Sequence, residues 1–156
     1  LLASSAASDV YKRQSKDSWE KITLASTIGG MVINTTGVTL AHGMEHPASG
    51  LKDVVHGKGL AALTPTIIED SYQGAPEKFA KLAKLFGGEK AEDLAGKVRE
   101  LLEDIELTCT LSDLGIEEKD IPWMAENCMK VSAHSIANNP VVFSQEEIAE
   151  IYKKAL

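Results

Sequence analysis

Cysteine and aromatic residues are scarce in this sequence. Only Cys109 and Cys128 are present among 156 residues, and aromatic residues make up 5% of the chain. Two cysteines are too few for the disulfide framework of a small secreted domain, so both thiols are expected to be reduced and buried. The length and the apolar fraction of 44% fit one globular domain with its own core, for which we predict a cytoplasmic location.

Basic clusters and long apolar runs are also absent. The formal net charge is −7, whereas proteins that bind nucleic acids neutralise phosphates with clustered lysine and arginine. A membrane-spanning helix needs about 20 consecutive apolar residues. The nearest candidate, residues 28–41, is interrupted by Gly29, Gly30, Asn34 and Gly37. The sequence therefore argues against a nucleic-acid partner and against a membrane segment.

The first 14 residues, LLASSAASDVYKRQ, show no helical or strand periodicity. The run DVYKRQ resembles the translated end of a transposon-type sequencing adaptor. The apolar part is too short for a secretory signal peptide, and no charged region precedes it. We predict that residues 1–14 are foreign to the protein and disordered, that the native chain extends further upstream, and that residues 15–156 form a truncated domain.

The remaining chain has the apolar periodicity of helices. Between residues 58 and 70 the apolar positions recur at helical spacing, and Pro76 suits the first turn of a helix over residues 76–85. The run SQEE at residues 144–147 fits a capping box in front of a C-terminal helix. No segment has the alternation of a convincing strand. The sequence therefore predicts an all-α fold.

Small and apolar residues fill positions 19–46. This composition predicts one helix that is buried by close packing, with Gly29 and Gly30 at a contact between helices. Proline cannot donate a backbone hydrogen bond and clashes within a helix. We therefore expect Pro47 to end this helix and residues 47–50 to form a turn.

Histidines carry the strongest chemical signal. His42, His46 and His56 lie within the run HGMEHPASGLKDVVH, whereas His134 stands alone and is expected to be structural. The spacing of four between His42 and His46 places both on one helix face, and a turn can bring His56 back to them. Imidazole is the commonest side-chain ligand for divalent transition metals. This cluster therefore predicts a metal site.

One interpretation of the cluster is a zinc peptidase. The residues HGMEH match the H-x-x-E-H pattern, in which His42 and His46 would bind zinc and Glu45 would act as the base. The pattern is short and occurs by chance. It also requires an uninterrupted helix and a third ligand, which no downstream glutamate clearly supplies.

A second interpretation comes from resemblance. The motif HGMEHP at residues 42–47, followed by VHG at 55–57, is similar to the H-x-x-x-H and HG motifs of the iron-containing (group III) alcohol dehydrogenases, a dehydroquinate synthase-like family. Weaker similarities follow in order, at LTP (63–65), FAKLA (79–83) and NNP (138–140). The resemblance covers the chain from about residue 28 to its end and implies the helical C-terminal domain of that family.

The resemblance also implies roles for the histidines. In this family one aspartate and three histidines hold the metal, and by position His42 and His56 match the last two histidine ligands. His46 matches a histidine beside the substrate that is not a direct ligand, and it would have a catalytic role in relaying a proton. The implied metal is iron(II) or, alternatively, zinc. The site implied by resemblance thus differs from the pair that spacing alone selects.

Part of the family's machinery is missing from this sequence. The D-x-x-x-H motif with the remaining two ligands is absent, and so is the GGGS motif of the nucleotide-binding domain. The activity implied for the full-length enzyme is metal-assisted hydride transfer between a primary alcohol or its aldehyde and NAD or NADP. We expect the fragment alone to be inactive. Its expected partners are the absent nucleotide-binding domain, a small alcohol or aldehyde, and further copies in a homodimer or larger assembly.

A third interpretation is a stand-alone helical protein with a structural or interaction role. A native start codon near Ser15 would favour this alternative.

Overall fold

The computed structural model describes residues 15–156, and the prediction for residues 1–14 lies outside that range. The described residues contain eight α-helices, two short 3₁₀ helices at Tyr72–Gly74 and Glu118–Asp120, and no strand, so the all-α prediction is confirmed. The α-helices are α1 (Lys16–Thr36), α2 (Leu40–Lys52), α3 (His56–Ser71), α4 (Pro76–Leu85), α5 (Asp93–Asp104), α6 (Ile121–Val131), α7 (Ala133–Ala137) and α8 (Gln145–Lys154).

The hydrophobic core lies between α2, α3, α6 and α8. α2 packs against both α3 and α6, while α6 also packs against α8. Each large aliphatic side chain that is fully buried in this core stabilises the fold by about 1.5–3 kcal/mol. The largest apolar side chains that are fully buried include Leu40, Met44, Leu63, Leu111, Ile116, Ile121, Met124, Ile148, Ile151 and Tyr152. This core fixes α2 and the start of α3, which carry the histidine cluster.

Pro47 does not end a helix, and the predicted turn at residues 47–50 is wrong. α2 continues through Pro47 to Lys52. A proline within a helix leaves the carbonyl four residues earlier without its usual donor. Here that carbonyl belongs to Gly43, and the buried hydroxyl of Ser132 donates to it at 3.3 Å. A tertiary hydrogen bond therefore replaces the bond that proline cannot make.

The single buried helix expected over residues 19–46 is also wrong. The helix breaks at Gly37, which has a φ of 72°, and α1 meets α2 at an angle of 102°. Of the α1 residues only Ser18 is buried, and a Cβ at Gly29 or Gly30 would meet nothing within 4 Å. Within residues 15–156, these glycines therefore make no close helix contact, because no other element covers α1.

None of the described helices is by itself long and apolar enough to cross a membrane. α1 and α2 reach that threshold of length and composition only when they are counted together across their bend.

Both cysteines are free thiols. Cys128 is fully buried in the core, as expected, whereas the expected burial of Cys109 is wrong because this side chain is partly exposed. Burial disfavours a thiolate and raises the pKa of Cys128 to about 12. Cys128 is therefore an inert core residue.

The capping box of α8 gives a testable contribution to stability. The Ser144 hydroxyl accepts from the backbone N–H of Glu147 at 3.2 Å, and the Glu147 carboxylate accepts from the N–H of Ser144 at 2.7 Å. We expect Ser144→Ala to lower the free energy of unfolding by about 1 kcal/mol, measured by urea denaturation. Ser15→Ala, which removes the cap of the exposed α1, is the control. An equal loss in both variants would contradict a specific role for the α8 cap.

Candidate metal centre

Two adjacent helices and one short loop position the three histidines. His42 and His46 lie one turn apart on α2, and His56 is the first residue of α3. The chain leaves α2 at Asp53, which adopts the left-handed conformation with a φ of 52° and donates its N–H to the Ser49 carbonyl at 2.9 Å. This tight exit lets α3 begin beside the last turns of α2.

The three imidazole rings converge. The ring centroid of His42 lies 5.2 Å from that of His56 and 6.2 Å from that of His46, and the His46 and His56 centroids are 6.0 Å apart. The structure thus brings together all three histidines that the sequence singled out. Such spacings allow two or three rings to direct nitrogens toward one ion.

Glu45 lies directly beneath this cluster. Its side chain is 0% exposed, and its Oε2 is 2.5 Å from Nδ1 of His56, whose own side chain is 52% exposed. The hydroxyl of Ser49 donates to the other carboxylate oxygen. A buried carboxylate is stable only when such partners satisfy it. Glu45 is therefore part of the site, as a buried side chain in contact with His56.

The electrostatics of the cluster favour the neutral form of His42. Burial lowers the pKa of His42, and the neighbouring His56 and His46 lower it further, against a smaller opposing effect of Glu45. A histidine must be neutral to bind a metal ion. A donor set of clustered imidazoles beside a carboxylate therefore fits a divalent transition metal such as iron(II) or zinc.

Distance alone selects a different set of donors. One donor atom from each of Glu45, His46 and His56 lies within 4.8 Å of the other two, and this group omits His42. The Glu45 carboxylate, however, is already bonded to His56 and Ser49 and has no exposed surface. An oxygen that is enclosed and bonded in this way is a poor ligand, so the imidazole nitrogens are the better donors.

Two other polar residues, His134 and Asp53, have structural roles. Nε2 of His134 lies 3.4 Å from the side-chain nitrogen of Asn138, and that nitrogen donates to the carbonyls of Thr36 and Val38 at the break between α1 and α2. His134 is thus apart from the cluster, as predicted. Asp53 forms the left-handed exit of α2. The carboxylate in contact with the His56 ring is that of Glu45, eleven residues earlier.

Comparison with known proteins identifies the family of the chain. The family described as "Fe-containing alcohol dehydrogenase family, C-terminal" matches residues 1–156. The 1,3-propanediol dehydrogenase of Klebsiella pneumoniae is 33% identical over 144 residues, which cover 87% of this chain and 37% of that enzyme. The lactaldehyde reductase of Escherichia coli K12 is 28% identical over 148 residues, covering 90% and 38%. The chain thus spans well under half the length of these relatives.

Solved structures show the same arrangement of helices. An archaeal halo-thermophilic alcohol dehydrogenase from a Red Sea brine pool superposes with a TM-score of 0.89 at 31% identity, over 96% of this chain and 40% of that one. A crystal structure of 1,3-propanediol oxidoreductase gives a TM-score of 0.83 at 31% identity, over 99% and 44%. With its helical fold and histidine cluster, the chain belongs to the iron-containing alcohol dehydrogenase family and corresponds to its C-terminal domain.

Proposed function

We propose that this chain is the metal- and substrate-binding part of an NAD(P)-dependent alcohol dehydrogenase that interconverts a primary alcohol and its aldehyde. The observation that carries the proposal is the convergence of three imidazole rings, with centroids 5.2–6.2 Å apart, in a chain of this family. Relatives named as 1,3-propanediol dehydrogenase and lactaldehyde reductase support a small alcohol or aldehyde as the substrate.

In this proposal His42 and His56 bind the metal. Their rings form the closest pair in the cluster, at 5.2 Å between centroids, and they come from different helices. The packing of α2 on α3 fixes the position of these two ligands relative to each other. When bound, iron(II) or zinc would supply Lewis-acid chemistry at the alcohol oxygen.

His46 acts as the catalytic proton relay. It lies on the same face of α2 as His42, one turn further on, and its ring is 6.0 Å from that of His56 between centroids. An imidazole beside the metal ligands is of the right type to accept a proton from an alcohol bound there and pass it on. In this proposal two histidines thus bind the metal and the third transfers a proton.

The remaining part of the enzyme would supply the nucleotide site and the other two ligands. The apolar side chains of α1 support this proposal, because Leu24, Met31 and Val32 are all more than half exposed. Such surface is ordinarily covered in a complete protein. In the full-length enzyme we expect NAD or NADP to bind in the upstream domain, with a homodimer or larger assembly as a further prediction.

The buried position of Glu45 favours this proposal over a zinc peptidase. A peptidase base must reach a water molecule at the metal, whereas the Glu45 carboxylate is 0% exposed and bonded to His56 and Ser49. The base and its substrate would have no open path to each other.

The native locus upstream of Ser15 provides the test. We expect an in-frame D-x-x-x-H helix preceded by a glycine-rich nucleotide-binding domain. We further expect the full-length protein to hold iron and oxidise primary alcohols with NAD(P), and the 156-residue chain to bind metal weakly and to be inactive. A native start codon near Ser15 would contradict the proposal, as would stoichiometric iron and dehydrogenase activity in the isolated chain.

A further inference from the structure

We propose that Glu45 is a positioning residue that holds His56 as its Nδ1–H tautomer and thereby leaves Nε2 free to bind the metal. This inference rests on the proposed function, in which His56 is a ligand. Glu45 itself touches neither metal nor substrate in this proposal, and it acts through the orientation of His56.

The contact between the two side chains carries the proposal. Oε2 of Glu45 lies 2.5 Å from Nδ1 of His56, and the carboxylate is fully buried while the imidazole is half exposed. A carboxylate accepts hydrogen bonds and does not donate them when it is ionised. A hydrogen bond from His56 to an ionised Glu45 carboxylate therefore places the proton on Nδ1 of His56.

The surroundings of Glu45 keep the carboxylate in place. The Ser49 hydroxyl donates to Oε1 from one side, and Ser49 Oγ is itself 2.9 Å from the Val54 carbonyl. On the other side Gly59 packs so closely that a Cβ there would lie 2.8 Å from Cγ and 3.0 Å from Oε1 of Glu45. Glycine at position 59 and serine at position 49 together form a socket for this one side chain.

The tautomer matters because a neutral imidazole has one donor nitrogen and one acceptor nitrogen. The hydrogen bond made by one nitrogen decides which of the two is available to a metal ion. Ligand histidines are commonly fixed in this way by a carboxylate behind them, and loss of that partner lowers metal affinity about 10–100-fold. Glu45 stands in this relation to His56.

The test reads the tautomer directly, in the metal-free chain. Long-range ¹H–¹⁵N spectra at about pH 8, where free imidazole is neutral, distinguish Nδ1–H from Nε2–H for each histidine. We expect His56 to be in the Nδ1–H form, and Glu45→Met to shift it toward Nε2–H with His134 unchanged. Glu45→Gln retains an oxygen that can accept from Nδ1–H and should preserve the wild-type form. An unaltered His56 tautomer in Glu45→Met would overturn the proposal.

A second pair of variants decides the matter if Glu45→Met does not fold. Gly59→Ala pushes on the Glu45 side chain, whereas Gly57→Ala adds the same methyl group to the same helix with nothing within 4 Å. We expect the His56 tautomer to change in Gly59→Ala and to be unaffected in Gly57→Ala. Identical spectra for these two variants would count against the socket and against Glu45 as the positioning residue.

A titration with Zn²⁺ separates this inference from the proposed function. The Zn²⁺ affinity is read from the shifts of the His56 resonances. We expect Glu45→Met to lower this affinity by about 10–100-fold, and His42→Ala to lower it as well. If His42→Ala binds Zn²⁺ as the wild-type chain does, the proposed ligand pair fails, while the tautomer of His56 still decides the role of Glu45.

Discussion

Replacing His56 by alanine in the full-length enzyme is expected to remove both the bound iron and the dehydrogenase activity. His56 is the proposed ligand from α3, and its ring centroid lies 5.2 Å from that of His42. Loss of an outer partner of a ligand already costs up to about 100-fold in metal affinity or activity, so loss of the ligand should exceed this. Iron content per chain and kcat/KM for NAD(P)-linked alcohol oxidation measure the two effects, and His42→Ala should behave alike.

His46→Gln is the matched control for this prediction. Because His46 is the proposed proton relay, His46→Gln should lower kcat/KM. Its iron content per chain should stay near that of the wild type. Glu45→Gln should have a mild effect, since its amide oxygen still accepts a hydrogen bond. Retention of iron in His56→Ala, or its loss in His46→Gln, would contradict the division of roles. A zinc peptidase would show the opposite pattern, with Glu45→Gln inactive and His56→Ala active.

Substituting alanine for Gly74 is expected to lower the free energy of unfolding strongly. Gly74 ends the 3₁₀ turn after α3, and a Cβ there would lie 2.4 Å from the carbonyl oxygen of Pro140 and 2.7 Å from its carbonyl carbon. Both atoms belong to the backbone, so no side-chain rotation relieves the clash. Overpacking costs about 1–3 kcal/mol and sometimes more, and we expect about 3 kcal/mol or more in urea denaturation of the 156-residue chain.

Gly96→Ala provides the comparison. Gly96 lies on the exposed side of α5, where a Cβ would meet nothing within 4 Å. Alanine is the better helix former by about 1 kcal/mol, so this variant should be as stable as the wild type or more so. Equal urea midpoints for Gly74→Ala and Gly96→Ala would show that the loop at Pro140 gives way, contrary to the prediction.

Features determined by neighbours in the sequence were predicted well. The helix over residues 76–85 is observed with the expected bounds, because proline favours the first turn of a helix. The capping box at Ser144 is also observed. The grouping of His42, His46 and His56 followed from their spacing and from one tight turn.

Features that depend on distant residues were missed. The rule that proline ends a helix assumes that the freed carbonyl stays unsatisfied, and Ser132 removes that assumption at Pro47. The exposure of α1 could not be read from its composition, which resembles that of a buried helix. The role of Glu45 depends on burial beneath His56, and the only signal in the sequence is a glutamate followed by a serine four residues on and a histidine eleven residues on.

Two carbonyls of α2 accept hydrogen bonds from residues far along the chain, and this affects the order of folding. Ser132 is 89 residues from Gly43, and Tyr152, whose hydroxyl donates to the Met44 carbonyl, is 108 residues away. Contacts of such long separation form late, because the loop they close is costly in entropy. On the ribosome, the segment with His42 and His46 emerges long before the residues that complete its helix. The ligands should therefore reach their final geometry, and metal should bind, only after Ser132 and Tyr152 have also emerged.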